Sequence, residues 1–196
     1  CNHPALALSE NAVDDGFLGR SAKLQRLEEI LDVVMEAGDR ALLFTQFAEW
    51  GHLLQSWMQQ RWKADVPFLH GGTRKSERQA MVDRFQEDPR GPQLFLLSLK
   101  AGGVGLNLTR ASHVFHIDRW WNPAVENQAT DRAYRIGQTN RVMVHKFITS
   151  GSVEEKIDRM IREKSRLAED VIGSGEDWLG SLAGDQLRNL IALEDT

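Results

Sequence analysis

Five short apolar runs, separated by stretches of helical periodicity, constrain this chain more than any other feature. They are ALLFT (Ala41–Thr45), VPFLH (Val66–His70), QLFLLS (Gln93–Ser98), HVFHI (His113–Ile117) and VMVHKFI (Val142–Ile148). Each has the length of a buried strand, and such runs alternating with helices indicate a parallel sheet covered on both faces. The intervening stretches repeat apolar residues at helical spacing: Leu24, Leu27, Ile30, Leu31 and Val34, then Leu53, Leu54, Trp57 and Met58, then Ala80, Met81, Val82 and Phe85. Asn122-Pro123 reads as an N-cap followed by proline in the first turn, opening a helix expected to continue through Gln128, Arg132 and Arg135. Ser152 and Glu155 match a capping box at the head of a charged helix reaching about Asp170. The predicted organisation is a linker over 1–20, an α/β domain over 21–170 with a C-terminal helical extension, and an acidic tail over 171–196.

In a sheet of this kind, functional residues gather beyond the C-terminal ends of the strands. The unusual segments all sit there: TQF after the first run, HGG after the second, SLKAGGVGLN after the third and DRWWNP after the fourth. Composition is that of an ordinary soluble protein, 41% hydrophobic and 27% charged. No apolar run approaches the length of a bilayer span, and no signal-peptide pattern opens the chain. The single cysteine, Cys1, excludes an internal disulfide framework and fits a reducing compartment. The net charge of −4 comes from the tail, because residues 1–170 hold 23 basic and 23 acidic side chains. Nucleic-acid binding would therefore depend on a local basic face.

KAGGVGLN (Lys100–Asn107) is a glycine-rich loop after a strand, equally suited to close phosphate approach and to a tight turn. It lacks the Gly-Lys-Ser/Thr of a P-loop and the dinucleotide fingerprint. The six histidines have no partner cysteines and suggest no metal site; His113 and His116 should point to opposite faces of their strand. No nucleophile elbow is present. Trp120 and Trp121 are adjacent at a strand-to-helix junction, where one of the two rings should remain accessible. QATDRAYRIGQ (Gln128–Gln138) places Arg132 and Arg135 three residues apart. On a helix they would share a face with each other and with Gln128, as a bidentate phosphate clamp or as a salt-bridged surface with Glu126 and Asp131.

The motifs CNHP, LLFTQF, FLHGGTRKSERQAMVDRF, LLSLKAGGVGLNLTRASHVFHIDRWWNPAVENQATDRAYRIGQ and VHKFITSGSVEEKI occur in this order. Together they resemble the second helicase lobe of the SWI/SNF family of DNA-translocating ATPases, in helicase superfamily two, with wording closer to its bacterial and archaeal branch. The resemblance covers roughly Cys1 to Lys164. It implies a RecA-like lobe that closes over ATP and Mg2+ held mainly by an N-terminal lobe of the same chain. It also implies double-stranded DNA as partner, remodelling of DNA-bound protein complexes, and a nucleoid-associated cytoplasmic or a nuclear location. On this reading Arg132 and Arg135 reach the γ-phosphate. Gln128, Gly103, Gly105 and Asn107 serve the nucleotide site. Thr45, Gln46, His70, Gly71, Gly72, Ser98, Lys100, Trp120, Trp121 and Asn122 lie toward DNA.

No Walker-type loop and no Asp-Glu pair for magnesium occurs in the chain, so the 196 residues by themselves are expected to be inactive. Two other readings stand beside the motor lobe. One is a regulatory or protein-binding module that kept the lobe without its motor function. The other is an RNA or unwinding helicase lobe, which the Asp-Arg-x-x-Arg-Ile-Gly-Gln ending disfavours.

Overall fold

Strand β1 (Ala41–Thr45) is buried at all five positions because helices cover it from both sides. The computed structural model of the chain describes residues 2–8, 13–14, 16–101, 105–134, 138 and 141–170. Around β1 the elements run in the order α1 (Pro4–Ala7), α2 (Ala22–Glu36), β1, α3 (Ala48–Trp62), β2 (Phe68–Leu69), α4 (Lys75–Glu87), β3 (Leu94–Ser98), β4 (His113–His116), α5 (Pro123–Thr130), β5 (Met143–Lys146) and α6 (Val153–Asp170). The five strands form one sheet in the order β2-β3-β1-β4-β5, and every pairing is parallel. This is the architecture expected from the five apolar runs.

Alternate side chains of β1 divide the interior. Ala41 and Leu43 join α2 and α3 in a core that includes Leu27, Trp50, Leu54 and Phe115. Leu42 and Phe44 join α4 and α5 in a second core with Phe85, Phe95, Leu97 and Ala129. Helix α2 starts where Ser21 accepts the N–H of Leu24, and its buried positions are the Leu24, Leu27, Leu31 and Val34 stripe. The C-terminal carbonyls of α4 are met by two guanidinium groups. Arg40 reaches Phe85 O and Asp88 O, and Arg110 reaches Gln86 O and Asp88 O, satisfying groups that have no partner within a helix.

Several expectations are corrected. Strand β2 is only two residues long; Pro67 has no N–H to give the ladder, although its carbonyl accepts Leu96 N. Residues 2–8, assigned to a linker, lie against the body: Asn2, His3 and Ala5 are all buried. His3 donates Nε2–H to Phe17 O at 2.7 Å, accepts Ala5 N, and stacks between Phe17 and Trp50. At the head of α6 the capping is displaced by one residue. Ser152 accepts the N–H of Glu154, while Glu155 accepts that of Gly151. The acidic tail over 171–196 lies outside the described residues.

Candidate functional site

β1 and β4 are neighbours at the centre of the sheet, and the loops leaving their C-terminal ends run to opposite sides. A ligand crevice forms at such a switch point in doubly wound sheets. Here one carboxylate, Asp118, bridges the two strand ends. It accepts the Thr45 hydroxyl at 2.5 Å and the Gln46 N–H at 3.0 Å, and Asn2 approaches it at 3.4 Å. Burial pushes Asp118 up to about 6, against the two bonds from Thr45 and Gln46 and the charge of Lys23. Lys23 is itself pulled below its ordinary range by burial, although Glu154 pairs with it at 2.5 Å.

The side chain after Asp118 carries the next connection. Arg119 is buried between two carboxylates, at 2.6 Å from Asp158 on α6 and 3.1 Å from Glu126 on α5. Glu126 is fully buried; it also accepts Trp120 N at 2.9 Å and faces Lys146 of β5 at 3.3 Å. The tryptophan segment is thus fixed by its backbone to α5, and α5 to α6 through Arg119. Trp120 and Trp121 are both half-buried, with ring centroids 5.7 Å apart. The expected division into one covered and one open ring is therefore replaced by two partly open rings. Asn122 caps α5 by accepting Ala124 N.

Thr45 and Ser98 offer nothing to solvent. Thr45 is spent on Asp118, and buried Ser98 accepts Ala101 N at 3.3 Å. Both were expected to face DNA; in this conformation they hold the loops that follow them. Gln46, Lys100 and Trp121 are accessible to different degrees, and Gln46 also donates to Arg119 O at 3.2 Å. His70, Gly71 and Gly72 follow the edge strand β2, two strands from β1 and so roughly 10 Å away. His70 accepts Gly72 N at 3.2 Å, lies 5.0 Å from the His52 ring, and is held below its ordinary basicity by burial and by His52. A Cβ on Gly72 would come within 3.0 Å of that imidazole, so glycine keeps the turn tight.

Gly105 and Asn107 are exposed beside α4, where they help to line a groove of about 930 Å³ with Lys75, Arg78 and Gln79. Gly105 has φ +54, a left-handed conformation that glycine adopts without strain. Gly103 and Arg135 lie outside the described residues.

The arginine motif differs from expectation. Helix α5 ends at Thr130, so Arg132 sits in the following turn and shares no helical face with Gln128. Gln128 is exposed, whereas Arg132 is 4% exposed. The turn is tied down from two sides. Leu108 N donates to Arg132 O at 2.9 Å. The Gln138 amide lies within 2.8–3.1 Å of the carbonyls of Thr109, Ala111 and Ala133. The stretch Leu108–Ala111, just after the glycine-rich segment, is therefore joined to Arg132 on one side and to Gln138 on the other. Asp118, Arg119 and Gln138 are not singled out by the sequence, and Glu126 is named there only as an acidic partner on a salt-bridged helix surface. The available signal was polarity placed immediately after an apolar strand, or immediately after a glycine.

The comparisons with known proteins agree with this fold. The model of the helicase conserved C-terminal domain matches residues 22–137. A Bacillus subtilis protein, YwqA, named as an ATP-dependent helicase/translocase, is 47% identical over 196 residues, all of this chain and 21% of its own length. The chain thus spans about one-fifth of that relative. Among solved structures, the Sulfolobus solfataricus SWI2/SNF2 ATPase core in complex with dsDNA aligns with TM-score 0.78 and 40% identity, over 99% of this chain and 40% of that one. The C-terminal domain of the Sulfolobus solfataricus SWI2/SNF2 ATPase aligns with TM-score 0.75 and 39% identity, over 99% of this chain and 77% of that one. A five-stranded parallel sheet, a polar bridge at its switch point and an arginine turn tied to a glycine loop are thus found in a chain that belongs to the helicase conserved C-terminal domain family, as a SWI2/SNF2-type C-terminal lobe.

Proposed function

We propose that this chain is the C-terminal motor lobe of an ATP-dependent double-stranded DNA translocase that remodels protein–DNA complexes. The observation that carries the reading is the bond from Leu108 to Arg132, which joins the loop bearing Gly105 and Asn107 to the arginine turn as one unit. A motor of this type needs its nucleotide-facing and DNA-facing segments to move together. Arg132 and Arg135 supply guanidinium charge to the γ-phosphate when a preceding lobe brings ATP across the cleft. Such an arginine acting across a cleft contributes about 10³–10⁵ in rate. Hydrolysis then depends on lobe closure, which couples turnover to displacement along DNA.

ATP is the substrate, and its magnesium belongs to the first lobe. Among the described residues no cluster of three or more His, Cys, Asp or Glu could hold a metal ion. Gln46, the His70–Gly72 turn, Lys100 and the Trp120–Asn122 segment serve the DNA backbone, where amides and cations position without reading sequence. The similar Sulfolobus core was solved with dsDNA, which supports duplex DNA as the partner here.

The test is ATPase activity of the complete protein with duplex DNA, single-stranded DNA or RNA added. Stimulation by duplex DNA is expected. Stimulation by RNA alone would favour an RNA helicase, and no ATPase under any condition would favour the regulatory module.

A further inference from the structure

His116 is the last residue of β4 and is completely buried. Like Val114 two positions earlier, it faces the core under α4 and α5, and its ring stacks on Phe44 at 5.7 Å and 20°. An aliphatic side chain would fill this place without a polar atom to satisfy, and a buried imidazole N–H without a partner is costly. The imidazole is instead used for one bond: its Nε2 lies 2.9 Å from Thr130 Oγ1.

The direction of that bond follows from its neighbour. The Thr130 hydroxyl donates to Glu126 O at 3.1 Å, which consumes its only proton. Thr130 Oγ1 therefore accepts, and His116 carries its proton on Nε2. Nδ1 has no hydrogen-bond partner among the described residues, so the tautomer is set by Thr130 alone. Burial, with Lys146 and Arg119 nearby, holds His116 down to about 3, and the ring remains a neutral donor at any physiological pH.

Thr130 is the final residue of α5 and the hub of the turn beyond it. Its carbonyl accepts both Ala133 N at 3.0 Å and Tyr134 N at 3.2 Å, and Arg132 lies between. We infer that His116 is a positioning residue that anchors the end of α5 to the sheet and thereby sets where the Arg132 turn begins. It touches no substrate; it acts through Thr130. The inference rests on the proposed role of Arg132 at the nucleotide.

The experiment uses the full-length protein with both lobes and measures duplex-DNA-stimulated ATPase. His116→Leu fills the volume without a donor, and Thr130→Val removes the acceptor while keeping the shape. His116→Gln returns a donor near the position of Nε2. A misplaced catalytic group costs roughly tenfold to a hundredfold in rate, so kcat should fall by that factor in His116→Leu and Thr130→Val. KM for ATP should stay within about twofold of the parent, since ATP is bound mainly elsewhere. The double variant should be no worse than either single one, and His116→Gln should restore turnover. Parent-level kcat in Thr130→Val, additive losses, or failure of His116→Gln to restore turnover would each overturn the inference. Arg132→Ala separates the two claims. If it retains stimulated turnover, the assignment of Arg132 is wrong. If it is inactive while Thr130→Val matches the parent, only the positioning role falls.

Discussion

Leu108 and Arg132 are 24 residues apart in sequence, yet the N–H of one donates to the carbonyl of the other at 2.9 Å. The bond falls where a loop leaving the sheet passes the turn that follows α5. It ties the stretch just after the glycine-rich segment to the arginine turn as one hydrogen-bonded unit. The Gln138 amide extends that unit by contacting Thr109, Ala111 and Ala133, so the same short stretch, Leu108–Ala111, supports both sides of the arginine motif.

Gln138→Glu tests that arrangement directly. The substitution preserves shape but sets a carboxylate oxygen against three carbonyl oxygens. Leaving buried polar groups unmatched costs about 1–3 kcal/mol each, so the chain should lose roughly that much stability in urea unfolding. In the full-length protein, DNA-stimulated turnover should fall with ATP binding retained. Unchanged stability together with unchanged turnover would show that the amide is dispensable.

The pH dependence of folding should show two opposed contributions from one strand end. His116 is held down to about 3, so its contribution is intact above the unfolded value near 6.5 and is lost as pH falls toward 3. Asp118 is pushed up to about 6, so its contribution is present below 3.8 and is lost as pH rises through 6. Between about pH 6 and pH 4 each group changes the folding equilibrium by up to roughly tenfold per pH unit, in opposite senses. Relative to the parent, His116→Leu should gain stability as pH falls across this window, and Asp118→Asn should lose it. Denaturant unfolding at several pH values would measure both, and variants with the parent's slope would contradict the assignment.

Sheet and helices were legible in the sequence because they rest on local periodicity: all five apolar runs became strands in parallel register. The polar bridge was not, because its bonds span distances no local pattern encodes. Asn2 meets Asp118 across 116 residues and Lys23 meets Glu154 across 131. Residues 2–8 read as a linker because their burial depends on those partners and on Phe17 and Trp50. The arginine spacing suggested a continuous helix for a related reason. Nothing in QATDRAYRIGQ breaks a helix before Gly137, and it is His116, from another strand, that engages the residue where α5 stops.

Arg119 should be sensitive to substitution out of proportion to its modest place in the sequence. It lies between Asp158 and Glu126 with almost no solvent exposure. Removing one partner of a buried ion pair costs about 3–5 kcal/mol, because the charge left behind has no water to turn to. Arg119→Ala should therefore destabilise the chain by that amount. Arg26→Ala, which breaks a pair on the exposed face of α2, should change stability by less than about 1 kcal/mol. Equal effects of the two variants in thermal unfolding would show that the Arg119 site is hydrated.

The tryptophan segment and the arginine turn lead to separable defects in the complete protein. Trp120 is held through its backbone by Glu126 while its ring stays half-open. Trp120→Ala should therefore leave basal ATPase near the parent and reduce its stimulation by duplex DNA. Arg135→Ala should abolish stimulated turnover while nucleotide binding persists, since on the proposed reading the triphosphate is held mainly by a preceding lobe. The loss expected for a missing arginine finger is about 10³-fold or more. The present 196 residues alone should hydrolyse no ATP measurably. Nucleotide titration and steady-state ATPase, with and without duplex DNA, distinguish these outcomes. Preserved DNA stimulation in Trp120→Ala would assign that ring to packing. Lost binding with preserved turnover in Arg135→Ala would refute the finger role. Substantial hydrolysis by the 196-residue chain would mean that the nucleotide site is not divided between two lobes.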